Sequence, residues 1–345
     1  MSSTERACFL TSVLRSVVIG GPITATVSVT DRCNARCGIC PYWNIKAQTD
    51  DELRPNEYHA LARKIRELGV CFVSLGGGEP LLRNDLEEIV AALKSSGLWV
   101  SVTTNGSLLT MPRMRRLRDS GLDQLLISLD FIRSGMHDRQ RGIRGLFERN
   151  LTALRAMKHE LSESPFRNAG IFTVLTSQNL DDIDGLVRLA AREGVTFQIQ
   201  PYSIMKSGNA AFVPRASEVA RVVLRLLLLK QTLGDVIVSS GEYIRRFTDF
   251  YQHGIGGCRA GQYFFHITAD GLVKSCVEGP PVGSVDMKAL DPISSPTARG
   301  FVRNCVGCWY ACRGETELLF DSQGFLERLL FGSRRWLASL RRQTC

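Results

Sequence analysis

The chain has 345 residues, 44% of them hydrophobic and 22% charged, which excludes a disordered polypeptide and leaves room for about two domains. No uncharged apolar run reaches the ~20 residues that span a bilayer, and the N-terminal stretch around Arg6 and Arg15 does not read as a signal peptide, so a cytoplasmic protein is expected. The net charge of +9 comes from 43 Lys plus Arg, 35 of them Arg, against 34 Asp plus Glu. It forms no basic block, and no nucleic-acid partner is expected.

Candidate strands lie at 23–30, 70–77, 98–105, 124–130, 169–176 and 195–202. Helical patterns fall between and after them, at 55–69, 84–97, 112–120, 145–161, 181–193 and 215–233. Pro55 and Gly69 frame the first helix, and Asn84 and Gly97 are expected to cap and stop the second. Strands alternating with helices predict a parallel α/β sheet with right-handed crossovers. Six units are too few for an eight-unit barrel, so a partial (β/α)6 TIM-like barrel is expected over 22–240, after a lead-in at 1–21.

The alternation stops near residue 240. Residues 241–314 are rich in Gly and Cys and read as a small metal-stabilised module, with a hairpin turning at Ala269-Asp270-Gly271. The last stretch, 315–345, reads as a basic amphipathic helix. Such a helix either docks on the barrel or lies on an anionic membrane surface.

The 11 cysteines are clustered, which in a chain of this kind points to metal or redox chemistry rather than disulfides. Cys33, Cys37 and Cys40 follow the first strand directly. Three thiolates on one compact loop suit three irons of a 4Fe–4S cube and leave the fourth without a protein ligand, the mark of a reactive site. Zinc would want a fourth ligand, and His59 is too far along to supply one. A second group, Cys258, Cys276, Cys305, Cys308 and Cys312, carries CxxC and CxxxC spacings. Cys71 reads as a buried hydrophobe, and Cys8 and Cys345 as thiols without function.

The stretch Cys33-Asn34-Ala35-Arg36-Cys37-Gly38-Ile39-Cys40 resembles the signature of the radical S-adenosylmethionine (SAM) enzymes, with Ile39 where that family often has an aromatic residue. Gly76-Gly77-Gly78-Glu79-Pro80 resembles the family's GGEP element, which implies that Gly77, Gly78 and Glu79 help to hold the methionine ammonium. Glycines there also let backbone approach a ligand closely. Thr103-Thr104-Asn105-Gly106 and Ser128-Leu129-Asp130 end the third and fourth strands. The resemblance places Asn105, Ser128 and Asp130 at the rim, facing the cofactor. His137-Asp138-Arg139-Gln140-Arg141-Gly142 resembles the family's HDxxRG stretch and gives Arg141 the methionine carboxylate. Gln198 and Gln200 on the sixth strand share one face, and Gln200 joins the cofactor candidates.

Cys258-(x12)-Gly271-(x4)-Cys276 and Cys305-(x2)-Cys308-(x3)-Cys312 resemble the SPASM and twitch extensions of the same family, and imply one auxiliary 4Fe–4S cluster. Cys258, Cys276, Cys305 and Cys308 are its expected ligands, with Cys312 as substitute or extra; a structural zinc ribbon is the other use of such thiolates.

The resemblance implies reductive cleavage of SAM to a 5′-deoxyadenosyl radical, hydrogen abstraction from a substrate, and oxidation or C–X/C–C bond formation helped by the auxiliary cluster. It also implies a reductant such as flavodoxin or ferredoxin. No catalytic residue beyond the cluster ligands is named. The substrate stays open between peptide, sugar and lipid. The absence of an obvious peptide-recognition segment weighs against a peptide. The basic tail favours a lipid and peripheral contact with the inner face of the membrane. The competing readings are a non-catalytic iron–sulfur electron-transfer protein and a zinc-stabilised binding module.

Overall fold

Along each expected strand, alternate residues divide into an apolar set and a small or polar set, and the chain folds so that the two sets meet different surroundings. A computed structural model describes residues 3–45, 51–163, 168–286 and 296–321. The basic tail from 322 onward and Cys345 lie outside these residues, so neither reading of the tail is addressed. The side chain of Cys8 is likewise not described.

Helix α1 (Ser3–Ile19) comes first and was not expected. It gives little sequence signal, because Leu10, Leu14, Val18 and Ile19 stay exposed. Its Phe9 stands edge-on to Phe72, with ring centroids 5.4 Å apart, and also touches Trp99. Strands β1 (Thr24–Thr30), β2 (Phe72–Gly77), β3 (Trp99–Thr104), β4 (Gln124–Ser128), β5 (Asn168–Leu175) and β6 (Thr196–Pro201) pair in parallel, each with the next. The register aligns Val27 with Leu75, Leu75 with Val102 and Val102 with Leu125. These residues belong to one buried apolar layer under the helices α2 (Pro55–Glu67), α3 (Leu86–Ser95), α4 (Met111–Asp119), α5 (Ser134–Arg141), α6 (Leu146–Glu163), α7 (Ile183–Glu193) and α8 (Ala216–Leu233). Each such side chain contributes roughly 1.5–3 kcal/mol on burial.

Two local details differ from expectation. Asp85, not Asn84, occupies the N-cap of α3, and its carboxylate is held by Arg83 at 2.6 and 2.8 Å rather than by helix amides. Beyond residue 240 the chain first makes α9 (Gly241–His253), capped by Ser240, whose hydroxyl accepts from the Tyr243 amide at 3.3 Å.

The cysteine-rich segment then joins the barrel's own sheet. Strand β7 (Phe264–Ile267) pairs in parallel with β1, aligning Val27 with Ile267, and β8 (Leu272–Lys274) and β9 (Pro281–Ser284) continue antiparallel. The sheet order is β6-β5-β4-β3-β2-β1-β7-β8-β9. Without β7, the outer edge of β1 would carry unpaired backbone groups. The β7–β8 hairpin turns at Asp270-Gly271 as expected, with Gly271 at φ +82°. Helices α10 (Pro296–Arg303) and α11 (Ala311–Glu317) complete the described chain. The outer strands β6 and β9 do not pair, which leaves a partial barrel. No helix of the described residues is long and apolar enough to cross a membrane.

Trp309 ties the last segment to α9. It is fully buried, stacks on Tyr243 at 5.8 Å, lies under the Arg246 and Arg313 guanidiniums, and exchanges hydrogen bonds with the Tyr243 carbonyl and hydroxyl. Trp309→Ala is expected to lower stability by about 3–5 kcal/mol, read as a shift of the urea midpoint with all regions unfolding together.

Candidate active site

The second residue set of every strand faces inward. Thr26 and Ser28 of β1, Ser74 of β2, Ser101 and Thr103 of β3, and Gln198 and Gln200 of β6 line one cavity of about 600 Å³. Period-two alternation thus sends these Ser, Thr and Gln side chains to the inner wall, beside apolar Phe72, Trp99, Leu126, Phe172 and Val174, while the outer face is core.

The cavity mouth is built at the carboxyl ends of the strands, where parallel α/β proteins hold ligands. The loop after β1 carries Cys33, Cys37 and Cys40, all lining the cavity. Backbone bonds seat this loop: the Gly78 amide donates to the Thr30 carbonyl at 2.7 Å, and the Glu79 amide to the Arg32 carbonyl at 2.8 Å. This approach requires glycine. A Cβ on Gly78 would stand 2.0 Å from the Arg32 oxygen, and one on Gly77 (φ +105°) 2.3 Å from the Thr30 oxygen. A Cβ on Gly76 would meet nothing within 4 Å, so that face is open to the cavity. Asn34, inside the cysteine loop, accepts from the Asn105 amide group at 2.8 Å and donates to Ser107. The Arg36 amide donates to the Arg141 carbonyl at 2.8 Å. Behind the loop, buried Glu52 gathers the Thr30 hydroxyl, Arg32 and Arg83.

Glu79 is buried at the bottom of this mouth. Its carboxylate accepts from the Thr104 hydroxyl at 2.5 Å, the Asn105 amide at 2.7 Å and the Leu81 amide at 3.0 Å. Burial raises its pKa, and those three donors and Arg141 pull it back. Arg141, also buried, bonds Asp130 and reaches Cys37 Sγ at 3.8 Å, and its Nε has no partner. Gly77, Gly78, Glu79, Asn105, Ser128, Arg141 and Gln200 line the cavity. Asp130 does not: its carboxylate turns to Arg141 and accepts from the Val174 amide at 3.0 Å. It thereby orients the guanidinium.

Cys312 shares the cavity with the first three cysteines, whereas Cys258, Cys276, Cys305 and Cys308 do not line it. The five thiols of this group stand in one another's electrostatic field: Cys276 feels Cys258 and Cys305, and Cys312 feels Cys308, Cys276 and Cys258. Fully buried Arg313 holds the segment together by donating to the carbonyls of Cys308, Ile255 and Gly256 at 2.8–2.9 Å. Sequence reading gave no sign of it.

The donor chemistry suits iron–sulfur clusters. Burial pushes the Cys33 thiol up to about 11, Cys276 to about 11, and Cys258 and Cys308 to about 12. Buried thiols of this kind hold their protons near neutral pH, and a cationic metal centre brought among them reverses the balance. Among the described residues no three His, Cys, Asp or Glu converge as ligands of a single ion. A cube, with one thiolate per iron, needs no such convergence.

The pattern of the Radical SAM superfamily matches residues 27–190, the stretch that carries this mouth. The chain carries a radical SAM domain. Its chemistry is radical SAM catalysis, with a 4Fe–4S cluster and SAM as cofactors. It is 26% identical over 273 residues to a PqqA peptide cyclase of Rhizobium meliloti, covering 77% of this chain and 70% of that one. It is 30% identical over 275 residues to the mycofactocin maturase MftC of Mycolicibacterium smegmatis, covering 77% and 64%. The fold matches that of Streptococcus suis SuiB, solved with the precursor peptide SuiA, at a TM-score of 0.68 and 16% identity, covering 90% of this chain and 76% of SuiB.

His266, also missed by sequence reading, lines this radical SAM cavity from β7. Its ring nitrogens meet the Thr26 hydroxyl at 2.9 Å and the Ser28 hydroxyl at 3.4 Å. The strand alternation around it was the available signal, once β7 is placed beside β1.

Two predictions follow from these charges. Asp130→Asn leaves Arg141 uncompensated and is expected to cost about 3–5 kcal/mol in chemical denaturation. Burial, then Lys274 and Lys206, lowers His266 from 6.5 to about 3. Between those values the unfolded chain binds the proton that the folded chain refuses, so this stability is full above pH 6.5 and is lost as the pH falls towards 3. His266→Gln is expected to shrink the stability loss between pH 7 and pH 5 by about 2 kcal/mol.

Proposed function

We propose that this radical SAM enzyme modifies a peptide, binding the peptide segment and SAM in the one cavity onto which Cys33, Cys37, Cys40 and Cys312 all open. That shared cavity is the observation that carries the reading. The peptide cyclase among the relatives supports the substrate class and moves peptides ahead of sugars and lipids. The same relatives support oxidation with C–C or C–X bond formation as the outcome.

In this reading Cys33, Cys37 and Cys40 hold the SAM-binding cluster, and four of Cys258, Cys276, Cys305, Cys308 and Cys312 hold an auxiliary one. When bound, the first cluster supplies the electron that splits SAM into a 5′-deoxyadenosyl radical able to take hydrogen from the substrate. The chain's own residues do the positioning. Glu79 and the backbone of Gly77 and Gly78 receive the methionine ammonium, beside the open face of Gly76. Arg141, aimed by Asp130, receives the methionine carboxylate with its unpartnered Nε nearby. Asn105, Ser128 and Gln200 complete the polar lining around the bound SAM.

Anaerobic reconstitution tests this. The wild-type chain is expected to take up about eight irons, two cubes, and to form 5′-deoxyadenosine under strong reductant. The Cys33→Ala/Cys37→Ala/Cys40→Ala variant should keep roughly half the iron and form none. Glu79→Gln should weaken SAM binding about tenfold at unchanged iron content. Wild-type protein that loads iron without cleaving SAM would instead be an electron carrier. For the substrate, a peptide encoded beside this chain's gene should lose two hydrogens on incubation, read by mass spectrometry. Recovery of every such peptide unchanged would remove the peptide reading.

A further inference from the structure

Two side chains among the described residues bring positive charge to the cavity wall, Arg141 and Lys206. Arg141 is bound to Asp130 and Cys37. Lys206 is held differently. Its ammonium stands 4.8 Å from the centroid of the Tyr42 ring and 3.9 Å from Glu278 Oε1, too far for a hydrogen bond. That Glu278 oxygen already accepts from the Tyr310 hydroxyl at 3.1 Å. Three N–H donors thus face the cavity with an aromatic ring beneath them and no acceptor in bonding range among the described residues.

The position is built. Lys206 ends a short turn, Ile204–Lys206, in which the Ser203 hydroxyl accepts from the Met205 amide at 3.1 Å and donates to the Gly307 carbonyl at 2.6 Å. Met205 packs where Gly307 has no Cβ, since one would lie 2.1 Å from its sulfur. The loop after β6 is therefore locked to the Cys305–Cys308 segment, and Lys206 lines the same cavity as Cys40 and Cys312. The Lys206 side chain is 24% exposed and its ammonium is held only by the Tyr42 ring and a long ion pair to Glu278, so its N–H donors are there for an incoming carboxylate to accept. Sulfonium chemistry at the other wall needs no second cation here, because Arg141 already serves the carboxylate in the reading above.

We propose that Lys206 anchors the substrate through a carboxylate, either an acidic side chain or a C-terminus of the peptide, and so positions the residue that reacts. The proposal rests on the peptide reading for its substrate, but its test does not require turnover. Calorimetric titration of reconstituted, SAM-loaded enzyme uses three probes: N-acetylglutamate α-methylamide (side-chain acid), N-acetylalanine (terminal acid) and N-acetylglutamine α-methylamide (neither). At least one acid is expected to bind about tenfold more tightly than the neutral amide. Which acid binds tells the two sources apart.

Lys206→Met should abolish that preference and Lys206→Arg should retain most of it, with iron content and SAM affinity within about twofold of wild type. Acids that bind no better than the amide, including no binding of either, overturn the proposal. So does a Lys206→Met variant that loses SAM affinity while keeping the preference for acid. If the acids bind through Lys206 while every candidate peptide is returned unchanged, the peptide reading fails and the anion site stands.

Discussion

The amides of Gly78 and Glu79 donate to the carbonyls of Thr30 and Arg32, and this backbone clasp fixes the cysteine loop against the end of β2. It exists because neither Gly77 nor Gly78 has a Cβ to strike those oxygens. Once the clasp is closed, Cys33 begins its loop at a set height above the sheet, and Glu79 is turned inward towards Thr104 and the Asn105 amide. Asn34 then meets Asn105, and Arg36 meets Arg141, so four chain segments converge on one opening. Glu52 braces the same loop from behind through Arg32 and Arg83.

Charge around that opening is handled by a consistent rule. Groups buried most deeply are bonded inside the protein: Arg141 to Asp130, Glu79 to two amides and a hydroxyl, Arg313 to three carbonyls. Leaving any of these alone would cost more than it gains, so their partners are fixed with them. Lys206 is less deeply buried, and it faces the cavity with only a long ion pair to Glu278. A site prepared for a ligand keeps its unsatisfied donors where the ligand arrives.

The sheet also joins two regions that look unrelated along the chain. Because β7 extends the barrel beside β1, His266 enters the cavity wall next to Thr26 and Ser28, and Cys312 faces the same space as Cys40. The cysteine-rich segment is thus part of the wall around the reacting volume, sealed to α9 by Trp309 and Tyr243.

Local chemistry already written in the chain determined much of this. Period-two runs located the six parallel strands, 3.6-residue runs the helices between them, and thiol spacing with the Gly-Gly-Gly-Glu-Pro stretch marked the opening. These signals act over a few residues, where side-chain alternation and backbone freedom are decided. Helix α1 has little amphipathic signal, and the N-cap of α3 is Asp85, whose carboxylate is taken by Arg83. Other assignments needed residues far apart to meet. The pairing of β7 with β1 and the placement of Lys206 and His266 depend on partners more than fifty positions away, and Asp130 and Arg313 each have at least one partner more than forty positions away. Tertiary structure alone decided them, because the burial and pairing of a charge depend on which distant surfaces close over it.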